Sequence, residues 1–280
     1  MSSGTLQKLF VLPDYSHHQF FKRENFPEVF ILMNMKEINL EIFQRDIHQF
    51  QKLWAHEEII KCTLQIEKFN PEKLSNLIFM LPKSFEVEKI TVEFDKETSE
   101  RNFFLETLQD ITILDSALTE EDLENIIDVH EHLENLSIRR CTIKSSLSPS
   151  YHFRSLDEIT IENNIFDGEI QSLSWIPFGS STKSLRLRNN NLEKLDITGF
   201  LLMKFDYDFE IDLRDNINIQ LTIDPSFYDD VRDNISTGYM KKTTYKEIFE
   251  RLDDIFLVDD HILYDLRDIK KTLLQFVDDL

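Results

Sequence analysis

Glycine and cysteine are both scarce in this chain, which has 5 Gly, 2 Cys and 7 Pro among 280 residues. So little glycine leaves no room for loops that cradle phosphates or dinucleotides. No GxxxxGK[ST], GxGxxG or GxSxG stretch occurs. Low-complexity linkers are excluded by the same count. Cys62 and Cys141 cannot build a disulfide framework, and their spacing matches no CxxC metal or redox motif. Two buried, reduced thiols are expected, and with them an intracellular address, cytoplasmic or nuclear.

Positive charge is also in short supply. Lys and Arg total 31 against 52 Asp and Glu, a formal net charge of −21. Backbone phosphates need cationic neutralisation, so direct binding of DNA or RNA is not expected. An anionic membrane surface is excluded by the same argument. A basic protein partner is compatible with the charge. Apolar stretches such as Phe30–Met33 and Phe200–Met203 are short, far below the roughly 18 residues of a membrane span. Residues 1–10 show no charged start before a long apolar run, so no leader is expected.

The chain is also poor in catalytic patterns. His56-Glu57-Glu58 and His130-Glu131-His132 are not HExxH, and His17-His18 has no Cys or carboxylate at ligand spacing. The doublets Asp229-Asp230, Asp253-Asp254, Asp259-Asp260 and Asp278-Asp279 lack the central glycine of a calcium loop. They read as solvated acidic surface. No cofactor, metal or catalytic residue is expected.

What is present is a repeat. Leu156-Asp-Glu-Ile159-Thr-Ile161-Glu-Asn-Asn164-Ile-Phe166 follows LxxLxLxxNxL. Leu185/Leu187/Asn190/Leu192 follows it except at Thr182, and Leu133/Leu136/Ile138/Cys141/Ile143 follows it with Cys in place of Asn. Weaker copies are Met35/Ile38/Leu40, Val87/Ile90/Val92 and Leu108/Ile111/Ile113. Leu64/Ile66 and Ile211/Leu213/Asn216 lack the first apolar position. The third apolar residues are 40, 66, 92, 113, 138, 161, 187 and 213, spaced by 21 to 26 residues. That spacing lies within the 20–29 window of leucine-rich repeats. Positions four and six are two apart and share one face of a short strand. Asn at position nine can satisfy backbone groups of neighbouring turns, forming a ladder in which Cys141 substitutes.

Helices are expected between the early strands. Asn70-Pro71 supplies an N-cap and a first-turn proline ahead of Leu74, Leu77, Ile78 and Leu81. Thr119-Glu-Glu-Asp122 resembles a capping box ahead of Leu123, Ile126, Ile127 and His130. Ile47, Phe50, Leu53 and Trp54 suggest a third helix. At the other end, Thr244-Tyr-Lys-Glu247 reads as a capping box before Ile248, Phe249, Leu252, Ile255 and Phe256. Leu263, Leu266, Ile269, Leu273 and Val277 mark a final amphipathic helix.

These motifs resemble the leucine-rich repeat superfamily, in the helix-containing type of ribonuclease inhibitor and of F-box proteins with cysteine-type repeats. Leu118–Ile127 and Leu133–Cys141 carry the similarity best. A fainter resemblance, on Leu64–Pro82 and Val87–Val92, is to the F-box-associated FTH domain of nematode proteins. The expected fold is an α/β solenoid of about eight repeats. It would comprise an N-terminal cap over 1–34, repeats over 35–223 and a helical cap over 224–280. Short parallel strands would line its concave face, with helices on the convex side of the early repeats.

Positions three, five and seven of each copy then point outward. In the first four copies they hold five acids and one Lys; in the last four they hold four Arg and four acids. The latter eight, Arg139, Glu158, Glu162, Arg186, Arg188, Glu210, Asp212 and Arg214, are the candidate partner-binding residues, since arginine is enriched at binding hot spots. The bland alternative is that these arginines pair with their neighbouring acids. The resemblance implies a non-catalytic adaptor or scaffold, with substrate recognition in a ubiquitin ligase as one form. The alternative is a regulatory inhibitor that binds and caps an enzyme.

Overall fold

The structure, a computed structural model, describes residues 8–12, 28–34, 44, 60–81, 83, 85–94, 103–144, 156–167, 182–202, 209–217 and 219–280. It is a mixed α/β fold dominated by parallel strands, with seven helices among the described residues. The chain divides into two compact units, 1–136 and 137–280.

The first unit contains β1 (Lys8–Leu12), β2 (Glu28–Asn34), β3 (Ile60–Phe69), β4 (Phe85–Phe94) and β5 (Asp110–Leu114), neighbours in that order. The first pair is antiparallel and the rest are parallel. The third apolar positions of successive copies face one another across the ladders, Ile66 with Val92 and Val92 with Ile113. Copies that look weak in isolation are therefore in register. A bulge near Lys89 explains why Val87 and Ile90 are both buried although three residues apart. One extra residue restores the inward face. Residues 1–34, expected as a cap, contribute two strands. The Met35/Ile38/Leu40 copy, the helix around Ile47–Trp54 and His17-His18 lie outside the described residues.

Both early helices begin where the sequence marks them. In α1 (Pro71–Met80) the Asn70 Oδ1 accepts from the Lys73 N–H at 2.9 Å, and Leu74 and Leu77 are buried. A three-residue strand, β6 (Ala117–Thr119), leads into α2 (Glu120–Val129). There Thr119 Oγ1 accepts from the Asp122 N–H at 3.1 Å, and Asp122 Oδ2 accepts from the Thr119 N–H at 2.8 Å. Two donors that a helix start leaves open are thus satisfied reciprocally. Leu123, Ile126, Ile127 and His130 are all buried. His130 Nδ1 lies 2.6 Å from the Ile126 carbonyl, which can only accept, so the ring carries its proton there.

In the second unit β7 (Asn135–Arg139, begun just before the division), β9 (Glu158–Glu162), β11 (Ser184–Arg186), β13 (Glu210–Asp212) and β15 (Phe256–Leu257) are successive neighbours. The register sets Leu185 against Ile159 and Ile211, all fully buried. Shorter strands follow each turn: β8 (Thr142–Lys144) pairs with β10 (Ile165–Asp167), and β12 (Lys194–Asp196) with β14 (Gln220–Thr222), both parallel. A short helix, α3 (Thr198–Leu202), buries Phe200 and Leu201. Cys62 and Cys141 are both reduced and buried, in line with structural thiols.

The C-terminal segment is mostly helical, in four helices with a two-residue strand before the last. It runs through α4 (Phe227–Thr237), α5 (Lys242–Glu250), α6 (Leu252–Ile255) and α7 (Asp260–Asp279). Two expectations need correction. The helix carrying Phe249 starts at Lys242, so Thr244 is a helical residue and not the cap. The stripe Leu252/Ile255/Phe256 is not one helix with it, because the chain breaks at Arg251 and Phe256 joins β13 as a strand residue. Burial against the sheet outweighs local helical periodicity there. Phe227, Tyr245 and Phe249 pack together with no exposed surface. Asn234 Nδ2 donates to the buried Tyr245 hydroxyl at 2.9 Å, and burial pushes that phenol above its ordinary value. Gly238 stands just past the end of α4 at φ +74, a left-handed cap that glycine adopts without steric cost.

Candidate functional site

The turns that follow the strands place the candidate residues. Lys68, Asp115, Arg140, Asn163, Asn189 and Asp215 all have positive φ, between 48° and 67°. Each immediately precedes position nine of its copy. Four of the six are Asn or Asp, which tolerate this left-handed region best among non-glycine residues; Lys68 and Arg140 adopt it without that advantage.

Position nine then ties the turns together. The Cys141 N–H donates to Asn164 Oδ1 at 2.8 Å, the Asn164 N–H to Asn190 Oδ1 at 3.0 Å, and the Asn190 N–H to Asn216 Oδ1 at 2.9 Å. In the reverse sense the Nδ2 groups of Asn164, Asn190 and Asn216 donate to the carbonyls of Ile138, Ile161 and Leu187 at 3.0, 2.9 and 2.6 Å. All three asparagines are buried. In the first unit Ser116 plays the same part, accepting from the Phe94 N–H at 2.9 Å and donating to the Leu114 carbonyl at 2.6 Å. Ser116 escaped the sequence reading because a lone serine carries little signal; its ninth position after Leu108 is the clue that could have found it.

On this frame the outward residues of β7, β9, β11 and β13 share one face. Ser184 lies between Glu158 and Glu210, and Arg186 between Thr160 and Asp212. Arg139 and Arg186 are exposed, as is Glu158; Glu162, Arg188 and Glu210 are half-buried, and Arg214 is exposed. Asp212 departs from the outward expectation, with only 3% of its surface exposed. The reason is a clamp. Arg214 Nε and a terminal guanidinium nitrogen reach its two oxygens at 2.8 and 2.6 Å, and Arg188 Nε lies 3.8 Å from it. Arg188 itself donates through Nε to Asp215 Oδ2 at 3.2 Å and through a terminal nitrogen to the same oxygen. Arg139 is 3.6 Å from Glu162. Arg186 makes no ion pair among the described residues.

The bland alternative therefore holds for three of the four arginines, and Arg186 stands apart. Asp215, which the sequence reading did not select, is the partner that draws Arg188 aside. Burial pushes the Asp212 carboxyl up, but hydrogen bonds from the Arg214 side chain and backbone, with the charges of Arg214 and Arg188, hold it below the ordinary carboxylate value. The Asp215 hydrogen bond, joined by the Asp212 charge, raises the Arg188 guanidinium, and Asp212 raises Arg214.

A folded-state carboxyl held below its unfolded value stabilises the protein above the unfolded pKa of about 3.9. That contribution is lost as pH falls through the folded value. Wild type should therefore melt higher than Asp212→Asn by a constant margin from roughly pH 5 to 7, shrinking below about pH 4. Thermal melts across that range would read it, and a margin that grew on acidification would contradict the clamp.

No group of three or more His, Cys, Asp or Glu side chains able to hold a metal ion occurs among the described residues, and no described helix is long and apolar enough to cross a membrane. No family model matches this chain, and no curated protein or solved structure matches it.

Proposed function

We propose that this chain is a non-catalytic protein-interaction module of the leucine-rich repeat type, an adaptor or scaffold that binds a protein partner on the strand face around Arg186. The observation that carries the reading is the contrast among the arginines. Three are engaged by acids of the chain itself, whereas Arg186 is exposed, central and without an ion pair among the described residues. An exposed guanidinium offers five donors in a planar fork to a partner's carboxylate. The neighbouring engaged pairs are already ordered, so a partner meets a rigid polar surface. The asparagine ladder supports the repeat-type assignment, because each turn satisfies its backbone only through the next.

Affinity capture from native lysate with the full chain, quantified by mass spectrometry, tests this reading. Arg186→Glu should deplete a stoichiometric partner at least tenfold, with its thermal melting unchanged. Ubiquitin-ligase components retained by both proteins would specify a substrate-receptor role. An enzyme as the depleted protein would favour the inhibitor role. If every captured protein is retained by Arg186→Glu, the strand face is not the binding surface.

A further inference from the structure

A second surface lies along the turns, centred away from Arg186 and meeting the strand face at the Arg188–Asp215 pair. An open groove of about 450 Å³ runs past the turns after β9, β11 and β13. Its rim carries two of the most exposed aliphatic side chains among the described residues, Ile165 at 58% and Ile217 at 79%. They occupy the same position of copies two strands apart, with Asn191 at the equivalent position between them. Asn191 is held flat by the Phe166 backbone, accepting from its N–H at 2.6 Å and donating to its carbonyl at 3.2 Å. The floor between the isoleucines is thus fixed and polar, and each isoleucine stands proud of it.

Two acids line this groove. Glu193 lines it and makes no ion pair among the described residues. Asp215 lines it and pairs with Arg188. Asp259 caps the Asp215 N–H at 2.8 Å. Among the described residues the lining itself holds two carboxylates and no cationic side chain; Arg188 and Arg214 act on Asp215 from the strand side, which leaves Glu193 as the groove's uncompensated charge, on a chain whose net charge is −21. Such a field favours a cationic partner and speeds its approach.

The spacing selects the partner's shape. Two strand intervals separate Ile165 from Ile217, about 9.6 Å at the usual strand separation. On an α-helix, side chains seven residues apart share a face and are about 10.5 Å apart. On an extended peptide, side chains of one face repeat at about 6.6 and 13 Å, which misses the interval on both sides. We infer that the turn groove docks a basic amphipathic helix of a partner protein. Two apolar side chains seven residues apart would rest on Ile165 and Ile217, and a Lys or Arg would face Glu193. This is helix-in-groove recognition with an acidic rim.

The test is selection of a displayed library of random 16-residue peptides on the immobilised full chain, followed by fluorescence anisotropy with the enriched peptides. Enriched peptides should be basic and carry an apolar pair at i and i+7. Their affinity should fall at least tenfold for Ile165→Ser/Ile217→Ser and at least threefold for Glu193→Lys. Arg186→Glu should bind them like wild type, which separates this surface from the strand face. All three substituted positions are exposed and outside the buried asparagine ladder, and unchanged thermal melting checks that the variants fold. Enrichment of acidic peptides, no enrichment at all, or peptides whose binding survives Ile165→Ser/Ile217→Ser would overturn the proposal. Loss confined to Arg186→Glu would overturn it too, by assigning the peptides to the strand face.

Discussion

Asn190→Ala is expected to cost about 3–5 kcal/mol of stability, a fall of roughly 10 °C in the melting temperature of the transition that includes the second unit. Asn190 sits in the middle of the ladder. Its Oδ1 accepts from the Asn164 N–H at 3.0 Å and from Asn164 Nδ2 at 3.2 Å, and its Nδ2 donates to the Ile161 carbonyl at 2.9 Å. Truncation leaves a backbone donor and a backbone acceptor buried with neither their partner nor water. Each orphan costs about 1–3 kcal/mol. Asn191→Ala is the matched comparison. Asn191 also makes two bonds to backbone, but it is exposed, so water can replace them and the loss should stay below about 1.5 kcal/mol. Urea denaturation of the three proteins reads the contrast. Equal losses for the two variants would mean that burial of the ladder contributes nothing.

Phe249→Ala should be comparably severe, at about 3–5 kcal/mol. The ring is fully buried, with centroids 5.8 Å from Tyr245 and 6.2 Å from Phe227. Removing it opens a cavity where α4 and α5 meet, and the loss combines transfer and cavity terms. Phe249→Leu fills most of that space and should cost less than half as much. Hydrogen exchange offers a local reading. Amides of Phe227–Thr237 and Lys242–Glu250 should lose protection in Phe249→Ala, while those of Ile60–Phe69 and Phe85–Phe94, in the first unit, keep theirs. Uniform loss across both units would show that the helical segment does not open separately.

The two variants also mark where sequence reading succeeded and where it failed. Asn164, Asn190 and Asn216 were legible because they recur at one position of a repeat, and a buried amide has few other uses there. The caps at Asn70-Pro71 and Thr119–Asp122 were legible because they are contained within four residues. The Thr244 capping box failed although its spacing is correct, since Lys241 and Lys242 had already begun the helix. Phe256 failed for a different reason. Its helical spacing from Leu252 is real, but an open strand edge at β13 offered backbone pairing and burial together.

The strand face shows the same division more sharply. That Arg139, Arg186, Arg188 and Arg214 come together with four acids follows from repeat positions alone. Which arginine makes no ion pair among the described residues does not. It depends on Asp215 turning back from a left-handed residue to hold Arg188, and on Asp212 sinking beneath Arg214. Repeat spacing, strand positions, the caps at Asn70 and Thr119 and the ladder asparagines were determined by the sequence, because each is a regularity of residues near one another or one period apart. The pairing of charges, the break at Arg251 and the groove between Ile165 and Ile217 were decided by tertiary structure. Each is a competition among groups brought close only when the turns stack, and its winner depends on distances that no single copy contains.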